Sequence, residues 1–162
     1  MSEIAQKRDG EVALDFDPAE RVEGGVVFIG RIRSAWNERA DCPRNISSAR
    51  ESGQGARIEL DPAYRAGLEG LKAGRDLMVL YWMDRARRDL IVQNPRHAEG
   101  PRGVFSLRSP HRPNPVAMSA VTIREIDPAG GVIVIDAIDC LDGTPVIDIK
   151  PWLPSVDMPA QG

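Results

Sequence analysis

The chain has 162 residues, of which 42% are hydrophobic and 28% are charged, and its formal net charge is −3. This balance is typical of one globular domain of ordinary size and excludes a disordered or low-complexity chain. The longest apolar run, residues 77–83, is far shorter than the roughly 20 residues that span a bilayer. Because we also expect no secretory signal, and because Cys42 and Cys140 are too few for a disulfide scaffold, we predict a cytoplasmic protein with reduced thiols.

Short apolar or alternating segments, separated by turn residues, predict a chain built mainly of strands. The predicted strands cover residues 26–33, 56–60, 77–83, 104–107, 118–124, 132–138 and 146–149. The run at 77–83 has no alternation, which predicts burial on both faces. Residues 127–131 contain a proline and two glycines and predict a hairpin between the strands on either side.

Helical signals are few. Asp61 followed by Pro62 predicts the start of a short helix that ends near Leu71. Residues 36–55 are polar and contain several serines and glycines, which predicts a long loop. Six or seven short strands with one short helix favour a β-barrel or a β-sandwich.

The domain limits follow from the same patterns. Residues 1–25 mix charged and isolated apolar residues, and we predict a partly disordered extension. Residues 26–157 form the predicted β-domain, and residues 158–162 form a tail.

Positive charge is concentrated in residues 85–112, where there are seven arginines and only two acidic residues. Such a segment is either a solvated loop or a surface that attracts anions. Arginine binds phosphate and carboxylate groups in a bidentate way and stacks on bases. We take four of these seven side chains as candidates for nucleic-acid contacts. They are Arg87, Arg88, Arg96 and Arg112.

Common catalytic motifs are missing from the sequence. It contains no glycine-rich dinucleotide or phosphate motif and no serine-hydrolase elbow. His97 and His111 lack a third ligand at a suitable spacing, so we predict no metal site. Two segments remain unusual: a stretch with three prolines at residues 110–115, which either closes the fold or holds ligand-binding donors rigidly, and the acidic turn at 139–145.

Four motifs in these regions resemble the TsaA-like (YaeB-like, TrmO) family. They are Gly-Arg-Ile-Arg-Ser at 30–34, Cys-Pro-Arg-Asn at 42–45, Arg-Ser-Pro-His-Arg-Pro-Asn-Pro at 108–115, and Asp-Gly-Thr-Pro-Val-Ile-Asp-Ile-Lys-Pro-Trp at 142–152. The resemblance covers about residues 26–157. It implies a small closed or partly open β-barrel with one short helix and long loops, which binds S-adenosylmethionine and forms a homodimer.

The resemblance also implies an activity, which is methylation of N6 of threonylcarbamoyl-adenosine beside the anticodon of tRNA. Carried over position by position, it implies a cofactor site built from eleven residues. They are Asn45, Ile46, Ser47, Ser48, Asp84, Arg85, Arg108, Met118, Leu141, Asp142 and Gly143. Asp84 stands where the family commonly has a histidine.

The catalytic group is not determined by these motifs. If the acceptor nitrogen must lose a proton, Asp84 and Asp142 are the candidate bases. Two other functions stay open: a methyltransferase with a small-molecule acceptor, and a non-catalytic module that binds the same cofactor. We expect the acceptor to differ more readily than the cofactor, because the chain ends soon after Trp152, without the C-terminal segment of the bacterial tRNA-acting members.

Overall fold

The computed structural model describes residues 6–160, which fall into two compact units. The first unit contains residues 6–26 and 83–117, and the second, here called the barrel unit, contains residues 27–82 and 118–160. The predicted limits at residues 25 and 157 stay predictions. The parts of the predicted extension and tail at residues 1–5 and 161–162 lie outside the described residues.

Six antiparallel strands close into a barrel in the order β2-β3-β8-β7-β4-β9. Their bounds are β2 Gly30–Arg33, β3 Ala56–Leu60, β4 Asp76–Trp82, β7 Val116–Asp127, β8 Val132–Ile135 and β9 Pro145–Pro151. The mainly β fold and the closed barrel confirm the predicted fold class. The predicted hairpin is also confirmed, since β7 pairs with β8 and Asp127 Oδ1 accepts the Gly130 N–H at 3.0 Å.

The barrel core consists of the inward-facing residues of the strands. Isoleucines dominate it because β-branched side chains pack well on a pleated surface. The fully buried barrel side chains include Ile32, Ile58, Leu77, Val79, Ile133 and Ile135. Each contributes about 1.5–3 kcal/mol relative to an exposed position.

Strand β4 corrects one prediction. Asp76 is exposed, and the side chains of residues 77–82 alternate between buried and half-buried, so burial on both faces is wrong. An apolar run in a closed antiparallel barrel has one face inside and one outside, and the outer residues Met78 and Leu80 are half-buried.

Strand lengths differ from the sequence predictions at their ends. The first barrel strand begins at Gly30 rather than at residue 26, and β8 ends at Ile135 rather than at residue 138. Strand β8 stops there because the next side chain, Asp136, accepts the backbone N–H of Thr122 at 2.8 Å. Side-chain acceptors of this kind replace the ladder bond and are not visible in an apolar pattern.

The helical elements are short. The predicted helix after Asp61 is a 3-10 helix over Pro62–Leu68, and the Asp61 side chain does not cap it. The predicted loop at 36–55 contains a six-residue helix, α1 Ile46–Glu51, and a second helix, α2, covers Pro154–Asp157. Both are too short to show a hydrophobic period.

The first unit contains a three-stranded sheet in the order β1-β5-β6, with β1 Val12–Ala13, β5 Leu90–Gln93 and β6 Arg102–Gly103. Part of the predicted N-terminal extension is therefore paired with the arginine-rich segment, and a 3-10 helix follows at Pro18–Glu20. The strand predicted at 104–107 is wrong. Val104–Ser106 is a 3-10 helix, closed by the Leu107 N–H donating to the Val104 carbonyl at 3.1 Å.

Candidate functional site

A tight turn at residues 141–143 lies between the strands β8 and β9 in the barrel unit. Gly143 has a φ of 80°, donates its N–H to the Ile32 carbonyl at 2.8 Å, and its own carbonyl accepts from Arg31 Nη1 at 2.9 Å. A Cβ built on Gly143 would meet no atom within 4 Å. The turn is therefore fixed to β2 on one side and accessible to a ligand on the other.

The Asp142 carboxylate is part of the same attachment. Its Oδ1 accepts the Ser34 N–H at 3.1 Å, and Arg33 Nη1 lies 3.6 Å from Oδ2. Its backbone N–H donates to the Trp36 carbonyl at 2.7 Å. Both carboxylate oxygens face donors, so the geometry suits Asp142 to holding the turn better than to accepting a proton.

Gly143→Ala is expected to lower the free energy of unfolding by about 1–2 kcal/mol, because an L residue is disfavoured in the left-handed region. Chemical denaturation measures the change. Gly67→Ala is the matched control, since Gly67 also has open space around its Cα and lacks a positive φ. Equal unfolding curves for the two variants would contradict the strained geometry of the turn.

Helix α1 and its cap carry four of the predicted cofactor residues. Asn45 is the N-cap, and its Oδ1 accepts the Ser48 N–H at 2.9 Å. Asn45 and Ser47 are exposed, whereas Ile46 and Ser48 are half-buried. The helix is anchored by Arg50, whose Nε lies 2.9 Å from Asp136 Oδ2 and whose Nη2 donates to the Ala120 carbonyl at 2.6 Å.

An open groove of about 540 Å³ runs over the barrel unit beside Asp142. Its size lies within the roughly 300–1,000 Å³ of small-molecule sites. The lining residues are Arg33, Ser34, Asn37, Gly55, Ala56, Arg57, Val134 and Asp142. Within residues 6–160, the lining of this groove does not include the other predicted cofactor residues.

Three charged side chains form a network at this groove. Glu59 Oε2 accepts from Arg33 Nε at 2.8 Å, and its Oε1 accepts from Arg57 Nε at 2.7 Å. The hydrogen bond from Arg33 lowers the pKa of Glu59, and the same bond raises the pKa of Arg33. Glu59 and Arg33 therefore stay charged around neutral pH. Strand alternation alone did not predict this network, because it does not tell which charged side chains meet across two strands.

A second polar network connects Ser119, the residue after Met118, to Asp139, which precedes the turn at residues 141–143. The Tyr81 hydroxyl lies 3.0 Å from Ser119 Oγ and donates to Asp139 Oδ1 at 3.0 Å. Met118 is exposed, and its neighbour Ser119 is buried. Burial raises the pKa of Tyr81, so its hydroxyl is a fixed donor. The one sign of this network in the sequence is a tyrosine within an apolar run.

Three of the four arginines predicted to contact nucleic acid have partners inside the first unit. Arg87 forms a bidentate pair with Asp89, at 2.9 Å for Nε–Oδ1 and 2.6 Å for Nη2–Oδ2. Hydrogen bonding between them raises the pKa of Arg87 and lowers that of Asp89. Arg88 Nε donates to the Pro113 carbonyl at 2.7 Å. These groups stabilise the unit, and their contact with nucleic acid stays a prediction.

The proline-containing loop of the first unit, residues 108–115, is held in place by side chains. Arg112, the third of these arginines, donates to three carbonyls, those of Val104 at 2.8 Å, Leu107 at 3.1 Å and Ser109 at 3.4 Å. Gln93, which is buried, donates through Nε2 to the His111 carbonyl. The loop is therefore fixed by hydrogen bonds from three side chains, Arg88, Gln93 and Arg112, in addition to its prolines.

The remaining predicted residues of the first unit are exposed. Arg108 lies at the start of the proline-containing loop, and Asp84 and Arg85 lie in the turn after β4. Arg96 is exposed in the segment that follows β5. Of the eleven predicted cofactor residues, the structure thus places eight, including Met118, in the barrel unit and the other three in the first unit.

The two cysteines, Cys42 and Cys140, are free thiols. Burial raises the pKa of Cys42 to about 11, so this thiol is protonated near neutral pH and is a poor nucleophile. Residues 6–160 contain no group of three His, Cys, Asp or Glu side chains that could hold a metal ion. No helix in the same range is long and apolar enough to cross a membrane.

Known proteins are similar to this chain in sequence and in fold. The family model of the tRNA-methyltransferase O N-terminal domain matches residues 31–158. A probable S-adenosyl-L-methionine-binding protein, VirR of Rhizobium radiobacter, is 38% identical over 144 residues, which are 89% of this chain and 78% of that protein. A tRNA (adenine(37)-N6)-methyltransferase of Mus musculus is 43% identical over 68 residues, which are 42% of this chain and 15% of that protein.

A solved structure agrees with these matches. The crystal structure of TrmO from Pseudomonas aeruginosa has a TM-score of 0.67 and 31% sequence identity, and the alignment covers 87% of this chain. The chain spans 61% of that solved chain. The family predicted from the motifs is confirmed, and the relatives' names agree with the predicted cofactor. Because the N-terminal domain model of this family matches most of the chain, the chain belongs to the tRNA-methyltransferase O family.

Proposed function

We propose that this protein is an S-adenosylmethionine-dependent methyltransferase that acts on N6 of threonylcarbamoyl-adenosine beside the anticodon of tRNA. The observation that carries the proposal is the match of the tRNA-methyltransferase O N-terminal domain to residues 31–158. That range contains every predicted cofactor residue. The position of the modified base is supported by the name of the mouse relative, which specifies adenine 37 and N6.

The residues present fit the chemistry of S-adenosylmethionine. The Gly143 turn has open space beside its Cα, which a ligand can approach without meeting a side chain. Ser47 on α1 and Arg108 in the proline-containing loop are exposed. Hydroxyl groups suit ribose, and a guanidinium suits the carboxylate of the methionine part. We therefore propose that these residues hold the cofactor.

The bound cofactor supplies a methyl group that its sulfonium already activates. The chain must then position the acceptor nitrogen in line with that methyl group and exclude water, which supplies most of the rate. The acceptor nitrogen loses one proton as it gains the methyl group. We propose the exposed carboxylate of Asp84 as the group that accepts the proton, because Asp142 is engaged by Ser34 and Arg33.

We propose that Arg96 is the arginine of the segment that contacts the RNA backbone most directly, with Arg87, Arg88 and Arg112 shaping the surface around it. Arg96 is exposed, whereas the other three hold parts of the first unit together. Phosphate contacts make affinity fall steeply with salt. A tRNA acceptor also implies that the protein works in the cytoplasm.

Transfer of tritium from labelled S-adenosylmethionine to tRNA tests the proposal. We expect incorporation into tRNA that carries threonylcarbamoyl-adenosine and none into tRNA that lacks this modification. Affinity for tRNA should fall as salt rises from about 50 to 200 mM. Cofactor binding without transfer to any tRNA would contradict the proposal and favour a small-molecule acceptor or a non-catalytic module.

We also propose that the protein forms a homodimer. Several apolar side chains of the barrel unit are exposed, as expected for a surface that a second copy covers. They are Val27, Phe28, Met118, Leu153, Val156 and Met158. Light scattering measures the mass in solution, and a monomer at concentrations where the enzyme is active would contradict this proposal.

A further inference from the structure

Phe105 is the most exposed large apolar side chain in the described part of the chain. Its relative exposure is 83%, whereas the preceding residue, Val104, is 1% exposed. A phenylalanine at such a position contributes little to the stability of the fold, since burial is the source of its stabilisation. Its exposure therefore points to a role outside the core.

The backbone under Phe105 is rigidly held. Phe105 is the central residue of the 3-10 helix Val104–Ser106, and Ser106 Oγ donates to the Gly103 carbonyl at 2.8 Å. Arg112 Nη2 donates to the Val104 carbonyl at 2.8 Å. The aromatic ring is thus carried by a fixed segment, so little conformational entropy is lost when a partner contacts it.

The chain segment around Phe105 is positively charged. Arg102 and Arg108, three residues away on either side, are both exposed. Residues 100–124 contain four arginines and no aspartate or glutamate. An exposed aromatic ring between two arginines, in a segment that lacks acidic residues, is complementary to a nucleobase and its flanking phosphates.

We propose that Phe105 is a stacking platform for an unpaired base of the RNA substrate. This inference rests on the proposed function and deepens it by assigning the contact that distinguishes a single-stranded loop from a duplex. In a duplex the bases are already stacked on each other, so an aromatic side chain has no free face to contact. Arg102, which is exposed three residues before Phe105, is the arginine that would bind a phosphate beside the stacked base.

Binding of Phe105 variants to a fluorescent tRNA anticodon stem–loop tests the proposal. Phe105→Ala is expected to weaken binding about 5- to 100-fold, which is the effect of losing one stacked base. Phe105→Trp should keep the affinity because it preserves a flat aromatic face. Phe105→Leu should lose it although it preserves the apolar character. A fully paired RNA of the same length should bind all variants equally.

Two controls distinguish the loss of stacking from a loss of folding or of cofactor binding. Val22→Ala removes another exposed apolar side chain, 61% exposed in the first unit, and should leave RNA affinity unchanged. Calorimetric titration should show the same affinity of Phe105→Ala and wild type for S-adenosylhomocysteine, and thermal melting should show the same stability. A loss of RNA binding under these conditions supports stacking.

Three outcomes would overturn the proposal. If wild type methylates tRNA and Phe105→Ala binds the stem–loop as tightly as wild type, the stacking contact is wrong while the proposed function stands. If wild type neither binds nor methylates tRNA, both are wrong. If sedimentation shows that Phe105→Ala dissociates a dimer while RNA affinity per subunit is unchanged, the ring contacts a second copy of the chain instead.

Discussion

Arg108→Ala is expected to weaken the binding of S-adenosylmethionine about 10- to 100-fold. A hydrogen bond to a charged group contributes roughly 1.5–3 kcal/mol, and this range corresponds to that loss in affinity. Arg108 is exposed at the start of a loop that Arg112 and Gln93 hold in place, so its side chain extends from a fixed backbone. Arg108→Lys should recover little affinity, because an ammonium group cannot form the bidentate contact.

Calorimetric titration with S-adenosylmethionine and S-adenosylhomocysteine measures this effect. Arg96→Ala is the matched control, since Arg96 is another exposed arginine of the first unit and is not a predicted cofactor residue. A purely structural role of Arg108 predicts a lower melting temperature with unchanged affinity. If the affinity of Arg108→Ala stays within about twofold of wild type, its assignment to the cofactor is wrong.

Arg112→Ala is expected to lower the free energy of unfolding by about 2–3 kcal/mol. The guanidinium donates to three carbonyls, those of Val104, Leu107 and Ser109, and its removal leaves these acceptors without a charged donor. The substitution also releases the loop that carries Arg108. We therefore expect weaker cofactor binding as a secondary effect.

Urea denaturation of Arg112→Ala beside Arg96→Ala separates a structural arginine from one that contacts RNA. Arg96→Ala should reduce RNA affinity and its dependence on salt, with stability unchanged. Arg112→Lys should restore only part of the stability, since an ammonium group lacks the planar fork. If Arg112→Ala unfolds at the wild-type midpoint and loses RNA affinity alone, its structural role is wrong.

The positions of the barrel strands were predictable because apolar residues alternate or cluster along them. Residues 56–60 alternate strictly, and the strand observed there has the predicted bounds. The apolar run at 77–83 predicted the position of β4 correctly. Its predicted burial on both faces was wrong, because the outer face of the strand is apolar but only half-buried. Helix α1 was missed because it is determined by the Asn45 cap and by the attachment of Arg50 to Asp136, neither of which has a sequence period.

The candidate site was less accessible from the sequence than the fold. Motif resemblance identified the segments around Asp142 and Arg108, but residue type alone does not tell which arginines have internal partners. Arg87 and Arg112 were predicted to contact RNA, and the structure gives their guanidinium groups carboxylate and carbonyl acceptors. These acceptors come from two residues away for Arg87 and up to eight residues away for Arg112, and their positions depend on the folded loop.

The most direct test of the proposed methylation is to measure the masses of the nucleosides in tRNA after reaction with the purified protein and S-adenosylmethionine. The tRNA is digested, and its modified nucleosides are separated and identified by mass spectrometry. We predict that threonylcarbamoyl-adenosine disappears and that a nucleoside heavier by one methyl group takes its place, with the added methyl on N6. An unchanged mass of threonylcarbamoyl-adenosine, in a sample where the protein binds S-adenosylmethionine, would contradict the account.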